Sequence, residues 1–458
     1  MKTGFIKRTL AHFAIFSLVA GCGGPSAPPP QTPKDETVGK PTIPAAAAKK
    51  AISGEAQKDF DTALKSYKES GGVTSKNCAD LANEFAQVYT SHPNVAAAKF
   101  NEGVIWEECA ETDKAKAAYE ELVRTHHKFG AALNNLGEIC FRRGEIPCAL
   151  SYFEKAADSK SSAGYSNLAL LQRNRAIKGE PMLVKDAVDN IHRALAMDSF
   201  NIEAYGTLAI LLYDHAKKRS QLNMARLICV QATKKDPKYA PIRNTLGLIN
   251  LKMEKVTPAL ISFREAVSLD PTLIDSHMNI GAITLGFRDY DAAEEAFSKV
   301  LALGPKDEET RFAATVGLGV AFRGQRKYEK AMAKYKEAKA MQPNNVDIDY
   351  NMGVLVQDYL FNPEPVEKGV AQLEKAKTFL VKYLSNGQDP EKKQDVELRI
   401  KNIDELIPMM LEQEKMAREM RAEMKAQAER DKMQPPQPPV VDKKEEPQPI
   451  QGGQNPNN

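Results

Sequence analysis

Three dipeptides at one interval decide what this chain can become. Asp236-Pro237, Asp270-Pro271 and Gly304-Pro305 follow one another every 34 residues. A fixed period of that length marks a small supersecondary unit that cannot bury its apolar face alone, so successive units must stack into a continuous core. The usual expectation of about three domains for a chain of 458 residues therefore gives way to one elongated array. Charged residues at 27% and apolar ones at 42% supply both the core and a solvated surface for such an array.

Within each period, small and large side chains recur at fixed offsets. One unit carries Leu246-Gly247, then Ala259, Phe263, Ala266 and Pro271; the next carries Ile280-Gly281, Ala293, Phe297, Val300 and Pro305. A small residue late in a first helix lets a second helix approach, an aromatic fills the hole between them, and a proline stops the second helix. The same set appears at Gly103, Trp106, Ala115, Tyr119 and Leu122, and at Leu136-Gly137, Ala149, Phe153 and Ala156. Two units hold it with longer interhelical turns: Leu168-Ala169 with Ala187, Ile191 and Ala194, and Leu208-Ala209 with Ala225, Cys229, Ala232 and Pro237. Leu318-Gly319, Ala331, Tyr335, Ala338 and Pro343 follow a four-residue insertion, and Met352-Gly353 with Gly369, Leu373 and Ala376 makes a degenerate last unit. An earlier pair is read around Ala56 to Ser70 and Cys78 to Ser91.

This pattern resembles the tetratricopeptide repeat (TPR). The expected fold is all-α: a TPR superhelical solenoid of about eight to nine helix pairs over residues 53–385, closed by a charged capping helix over 386–433. In that helix Leu398, Ile403, Leu406, Ile407, Met410 and Leu411 form an apolar stripe, Pro408 predicts a kink, and Met416, Met420 and Met424 continue at four-residue spacing. A Pro- and Gln-rich tail over 434–458 is read as disordered.

The resemblance places the first helices on the concave side of the array. Two residues before the small residue of those helices stand Asn101, Asn135, Asn167, Asn279 and Asn351. They are similar to the asparagine ladder of O-linked N-acetylglucosamine transferase, whose amides grip an extended peptide backbone. An amide offers a donor and an acceptor, so it can pair with any peptide unit. Thr207, Thr245 and Gly317 interrupt the series. These five asparagines are the expected peptide-binding groove, with solvated surface as the competing reading.

Nothing in the sequence reads as an enzyme. The 7 histidines show no metal-ligand spacing, Glu107-Glu108 and Glu120-Glu121 read as helix-surface charges, and no Gly-rich phosphate loop follows a strand. No catalytic residue, metal or cofactor is expected. A formal charge of +3 gives no footprint for nucleic acid, and no small-molecule substrate is implied. Of the cysteines, Cys229 fills an aromatic slot and reads as a free core thiol. Cys78, Cys109, Cys140 and Cys148 allow one or two disulfides whose connectivity is open.

The amino terminus reads as an export signal over residues 1–21, with Lys2, Lys7 and Arg8 before an apolar run from Leu10 to Ala20 that is too short to span a bilayer. Leu18-Val19-Ala20-Gly21-Cys22 resembles the lipobox of bacterial lipoproteins, which implies lipidation of Cys22. The absence of Asp after that cysteine (Gly23-Gly24) implies the outer membrane. Residues 22–52, with Pro28-Pro29-Pro30, read as a disordered tether. A lipid-anchored, periplasm-facing TPR protein resembles pilotins of type IV pilus secretins, the lipoprotein subunit of the β-barrel assembly machine, and the TPR lipoprotein of the myxobacterial adventurous gliding (Glt) machinery. Length, tether and tail look most like the last. The expectation is a scaffold for proteins of a trans-envelope complex, held to the membrane through Cys22, with gliding motility as its setting. An activator of a cell-wall enzyme is the competing class.

Overall fold

The computed structural model describes residues 53–305, 307–387 and 389–433, and every regular element among them is helical. The signal segment, Cys22, the tether and the tail lie outside the described residues. The first pair is α1 (Gly54–Glu69) and α2 (Cys78–Ser91), followed by α3 (Ala96–Glu108) with α4 (Thr112–Thr125) and α5 (Gly130–Arg142) with α6 (Ile146–Asp158). Then come α7 (Ser162–Ile177) with α8 (Leu183–Met197), α9 (Ile202–His215) with α10 (Arg219–Lys235), and α11 (Ala240–Lys252) with α12 (Val256–Leu269). The series continues through α13 (Ile274–Gly286) with α14 (Tyr290–Ala302), α15 (Glu308–Gly324) with α16 (Tyr328–Met341), and α17 (Val346–Leu355) with α18 (Val366–Asn386), before a long α19 (Pro390–Met433). That is the expected solenoid of consecutive helix pairs. No described helix is long and apolar enough to cross a membrane.

The chain divides into two compact units, Met1–Asn344 and Asn345–Asn458. In the first, the offsets seen in the sequence become the core. Ala115, Ala149, Ala187, Ala225, Ala259, Ala293 and Ala331 are all fully buried, as are Tyr119, Ile191, Cys229, Phe263, Phe297 and Tyr335 in the large-residue slot. The reason for glycine late in the first helix is visible at Gly247, where an added Cβ would lie 2.5 Å from Cε1 of Phe263. The turn inside the pair also repeats: Ala110 and Gly144, then Glu254, Arg288 and Arg326, adopt the left-handed conformation with φ between 60° and 78°. This residue ends the first helix and reverses the chain in the tightest way available. Side-chain caps at Ser161, Asn201, Asp289 and Asp307 start four of the helices, each contributing about 1 kcal/mol.

Successive first helices touch one another directly: α5 meets α7, α7 meets α9, α9 meets α11, and α13 meets α15. No two second helices meet to that extent. A stack whose first helices are closer together than its second helices curves with the first helices on the inner side, which defines the inner face of this unit.

In the second unit α18 packs against both α17 and α19. The expected stripe on α19 is narrower than the sequence reading made it. Val396, Ile403 and Met410, at seven-residue spacing, are buried, whereas Leu398 and Leu411 are exposed. A seven-residue seam is what one helix lying along another requires. The helix is assigned without interruption through Pro408. Pro408 is itself exposed, and the Asp404 carbonyl it deprives of a donor lies on the same side, one turn earlier. Beyond Leu411 nearly every residue is exposed, Met416, Met420 and Met424 included.

Candidate inner-face site

The inner face is built from two positions of each first helix, three residues apart and therefore on one side. One holds the asparagines. The other, directly after the small residue, holds Val104, Glu138, Leu170, Ile210, Leu248, Ala282 and Val320, all partly exposed. The sequence reading missed this second row, although its spacing is as regular as that of the glycines. It is aliphatic except at Glu138.

The five asparagines do not share one environment. Asn101 is 0% exposed, and neither its Oδ1 nor its Nδ2 has a hydrogen-bond partner. The preceding pair covers α3: Phe60, Leu81 and Phe85 share a cluster with Ala97, Ala98 and Ile105. Asn101 therefore lies beneath the surface, away from an open groove. Asn279 and Asn351 are partly exposed, the second in the separate C-terminal unit. Asn135 and Asn167 are also partly exposed, and their amides are already engaged with neighbouring side chains.

Around Asn135, Tyr119 Oη donates to Glu107 Oε2 at 2.8 Å, and Asn135 Nδ2 donates to Tyr119 Oη at 3.0 Å. Arg142 pairs with the other oxygen of Glu107. Burial, with the charge of Glu107 beside it, holds the Tyr119 phenol well above its ordinary pKa, so it remains a donor. Glu107 thus belongs to a network joining three helices, more than the surface charge expected of it. On the same helix, Asn134 Nδ2 donates to Glu138 Oε1 at 2.7 Å, and from the next pair Asn167 Nδ2 donates to the same Oε1 at 2.9 Å and to Asn134 Oδ1 at 2.9 Å. Burial pushes the Glu138 carboxyl up to about 7, with Glu107 adding to the effect and the amides and Arg142 opposing it. Beside Glu138 opens a shallow cleft lined by Phe141, Phe153, Asn167, Leu170 and Leu171.

Further along, Arg173 and Asp214 pair at 2.6 Å, each 16% exposed, and Lys252 Nζ donates to the Tyr213 carbonyl at 2.6 Å. Where threonine replaces asparagine at 245, its hydroxyl donates back to its own helix at the Pro241 carbonyl. The acid and its amide partners are thus gathered at α3 to α7, while the aliphatic row continues through α15 with Asn279 beside it on α13.

The cysteine pairing left open by the sequence is resolved. Cys78 bonds to Cys109 and Cys140 to Cys148, while Cys229 is free and buried. The first bridge ties α2 to the end of α3; the second ties the two helices of one pair. Burial pushes the Cys229 thiol up to about 12.

Comparisons with known proteins agree with this architecture. A family model described as tetratricopeptide repeat matches residues 110–164 and 284–346. Superkiller protein 3 of Schizosaccharomyces pombe is 20% identical over 288 residues, covering 52% of this chain and 18% of its own length. Protein O-mannosyl-transferase TMTC1 of Homo sapiens is 26% identical over 212 residues, covering 45% of this chain and 23% of its own. The chain thus spans only about a fifth of the length of the curated relatives it matches. A solved structure of IFIT1 with m7Gppp-AAAA matches 78% of this chain and 82% of its own at 16% identity and a TM-score of 0.50, a likeness of fold alone. The consecutive helix pairs form a solenoid of the tetratricopeptide-repeat kind, and the repeat's family model matches two stretches of it.

Proposed function

We propose that this protein is a non-catalytic scaffold, anchored in the outer membrane by lipid on Cys22 and facing the periplasm, which holds protein partners of a trans-envelope machine on the inner face of its first helices. Stacked repeats create extended binding surfaces of this kind, and function on such a fold has to be argued from a site. The observation that carries the reading is the row of partly exposed aliphatics Val104, Leu170, Ile210, Leu248, Ala282 and Val320, interrupted by Glu138. It offers apolar contact along an extended polypeptide, with the partly exposed Asn279 amide placed to pair with a peptide unit. The anchor rests on the lipobox-like residues ending at Cys22. The gliding machinery is the setting favoured by the length of the array, the Pro-rich tether and the tail.

A photocrosslinking amino acid at Ile210, on the inner face, should capture envelope proteins in living cells. The same group at Leu227, exposed on α10, should capture none of them. Products from Leu227 alone would place the binding surface elsewhere. Cys22→Ala should release the protein from the membrane fraction; retention there would remove the lipid anchor from the account.

A further inference from the structure

The Glu138 cleft is a shallow recess in the inner face. Both amides that reach Glu138, from Asn134 and Asn167, donate to Oε1, so among the described residues no amide donates to Oε2. Phe141, Phe153, Leu170 and Leu171 line the same recess as Glu138. The recess is about 220 Å³ including its open mouth, below the roughly 300–1,000 Å³ of small-molecule pockets, and its floor has room for a group about the size of one water.

We propose that this cleft recognises the side chain of a single lysine on an extended partner polypeptide, its ammonium seated on Glu138 Oε2 and its methylene stem lying along Phe141 and Leu170. An ammonium is compact, whereas a guanidinium is a broad planar fork, so the narrow floor favours lysine over arginine. A lysine stem buries well on apolar walls while its head keeps a charge partner. The charges nearby are consistent with an added cation: Arg142 is committed to Glu107, and burial with Glu107 raises the Glu138 carboxyl, a shift that a cation seated there would oppose. Glu138 alone breaks the aliphatic row, so it fixes the register in which a partner lies. This inference rests on the inner-face reading above and adds its chemical specificity.

The test pans a random decapeptide library on the full mature chain and on Glu138→Gln, whose folding is checked by circular dichroism. Peptides selected on the native protein should share a lysine at one position. A synthetic version with norleucine there should bind the native protein about tenfold more weakly, the scale of one lost charge-assisted hydrogen bond, while arginine should only partly restore binding. Against Glu138→Gln the lysine and norleucine peptides should bind equally. Binders whose affinity ignores the lysine, or depends on it equally in both proteins, would overturn the lysine site and leave the groove reading standing. If no decapeptide binds the native protein, the lysine site and the groove reading both fall.

Discussion

The contact most easily turned into a number is Gly247 under Phe263. An ideal Cβ on Gly247 would lie 2.5, 2.7 and 2.8 Å from three carbons of the ring, against about 3.5–4.0 Å for an ordinary carbon contact. The ring would have to withdraw by about 1 Å. It has nowhere to go, since Phe263 is fully buried in a cluster with Ala259, Ile280, Ile283 and Ala296. Overpacking of this kind costs about 1–3 kcal/mol, while replacing a mid-helix glycine by alanine contributes about 1 kcal/mol in the other direction. Gly247→Ala should therefore destabilise by roughly 0–2 kcal/mol, read as a fall in urea midpoint and as faster amide exchange in α11 and α12. The control is the sign reversal: in a Phe263→Leu background the methyl has space, and the same glycine change should become neutral or stabilising by up to about 1 kcal/mol. Equal destabilisation in both backgrounds would show that close approach of the ring is not what reserves this position for glycine.

Three further outcomes follow from the same structure. Replacing Cys78 and Cys109 by serine should cost about 3–4 kcal/mol, since the bridge closes a loop of 31 residues, and removing Cys140–Cys148, with a separation of 8, about 2–3 kcal/mol; calorimetry with and without reductant checks both, and equal losses would contradict the loop argument. Cys229 should resist thiol reagents in the folded protein and react once unfolded, because burial keeps it protonated; labelling of the native state at the rate of a free thiol would contradict its placement. The Glu138 carboxyl rises from the ordinary 4.5 to about 7, so the folded state takes up its proton first, and its contribution is fully present below pH 4.5 and lost as pH climbs through 7. Glu138→Gln should accordingly gain stability over the native chain by roughly 1–3 kcal/mol between pH 4.5 and 8, and a difference independent of pH would contradict the burial of that carboxyl.

How much was legible in the sequence depends on whether the controlling interaction is local or crosses repeats. The Ala259, Phe263, Ala266 set reports contacts within one helix pair at fixed offsets, so the fold class and the succession of helix pairs could be read directly. The asparagine row was legible as a register and illegible as an environment. Asn101 is buried because a degenerate first pair, with no glycine to announce it, packs over α3. Asn135 and Asn167 are engaged because Tyr119 and Glu138 approach from neighbouring repeats, 16 and 29 residues away. The Glu138 cleft escaped notice because a glutamate on a helix reads as solvated until the side chains around it are known. The stripe on α19 was overdrawn because helical periodicity alone cannot separate a residue facing α18 from its neighbour facing water; the seven-residue spacing of Val396, Ile403 and Met410 does separate them.

The account's central claim is that the inner face of the first helices holds protein partners. Affinity purification from crosslinked, detergent-solubilised envelopes tests it most directly. The native chain is compared with a variant carrying alanine at Asn135, Asn167 and Asn279, and with a second variant carrying alanine at the buried Asn101 alone. The account predicts that partners co-purify with the native chain and with a folded Asn101→Ala protein and are lost from the threefold variant; the same partners at undiminished yield from the threefold variant would contradict it.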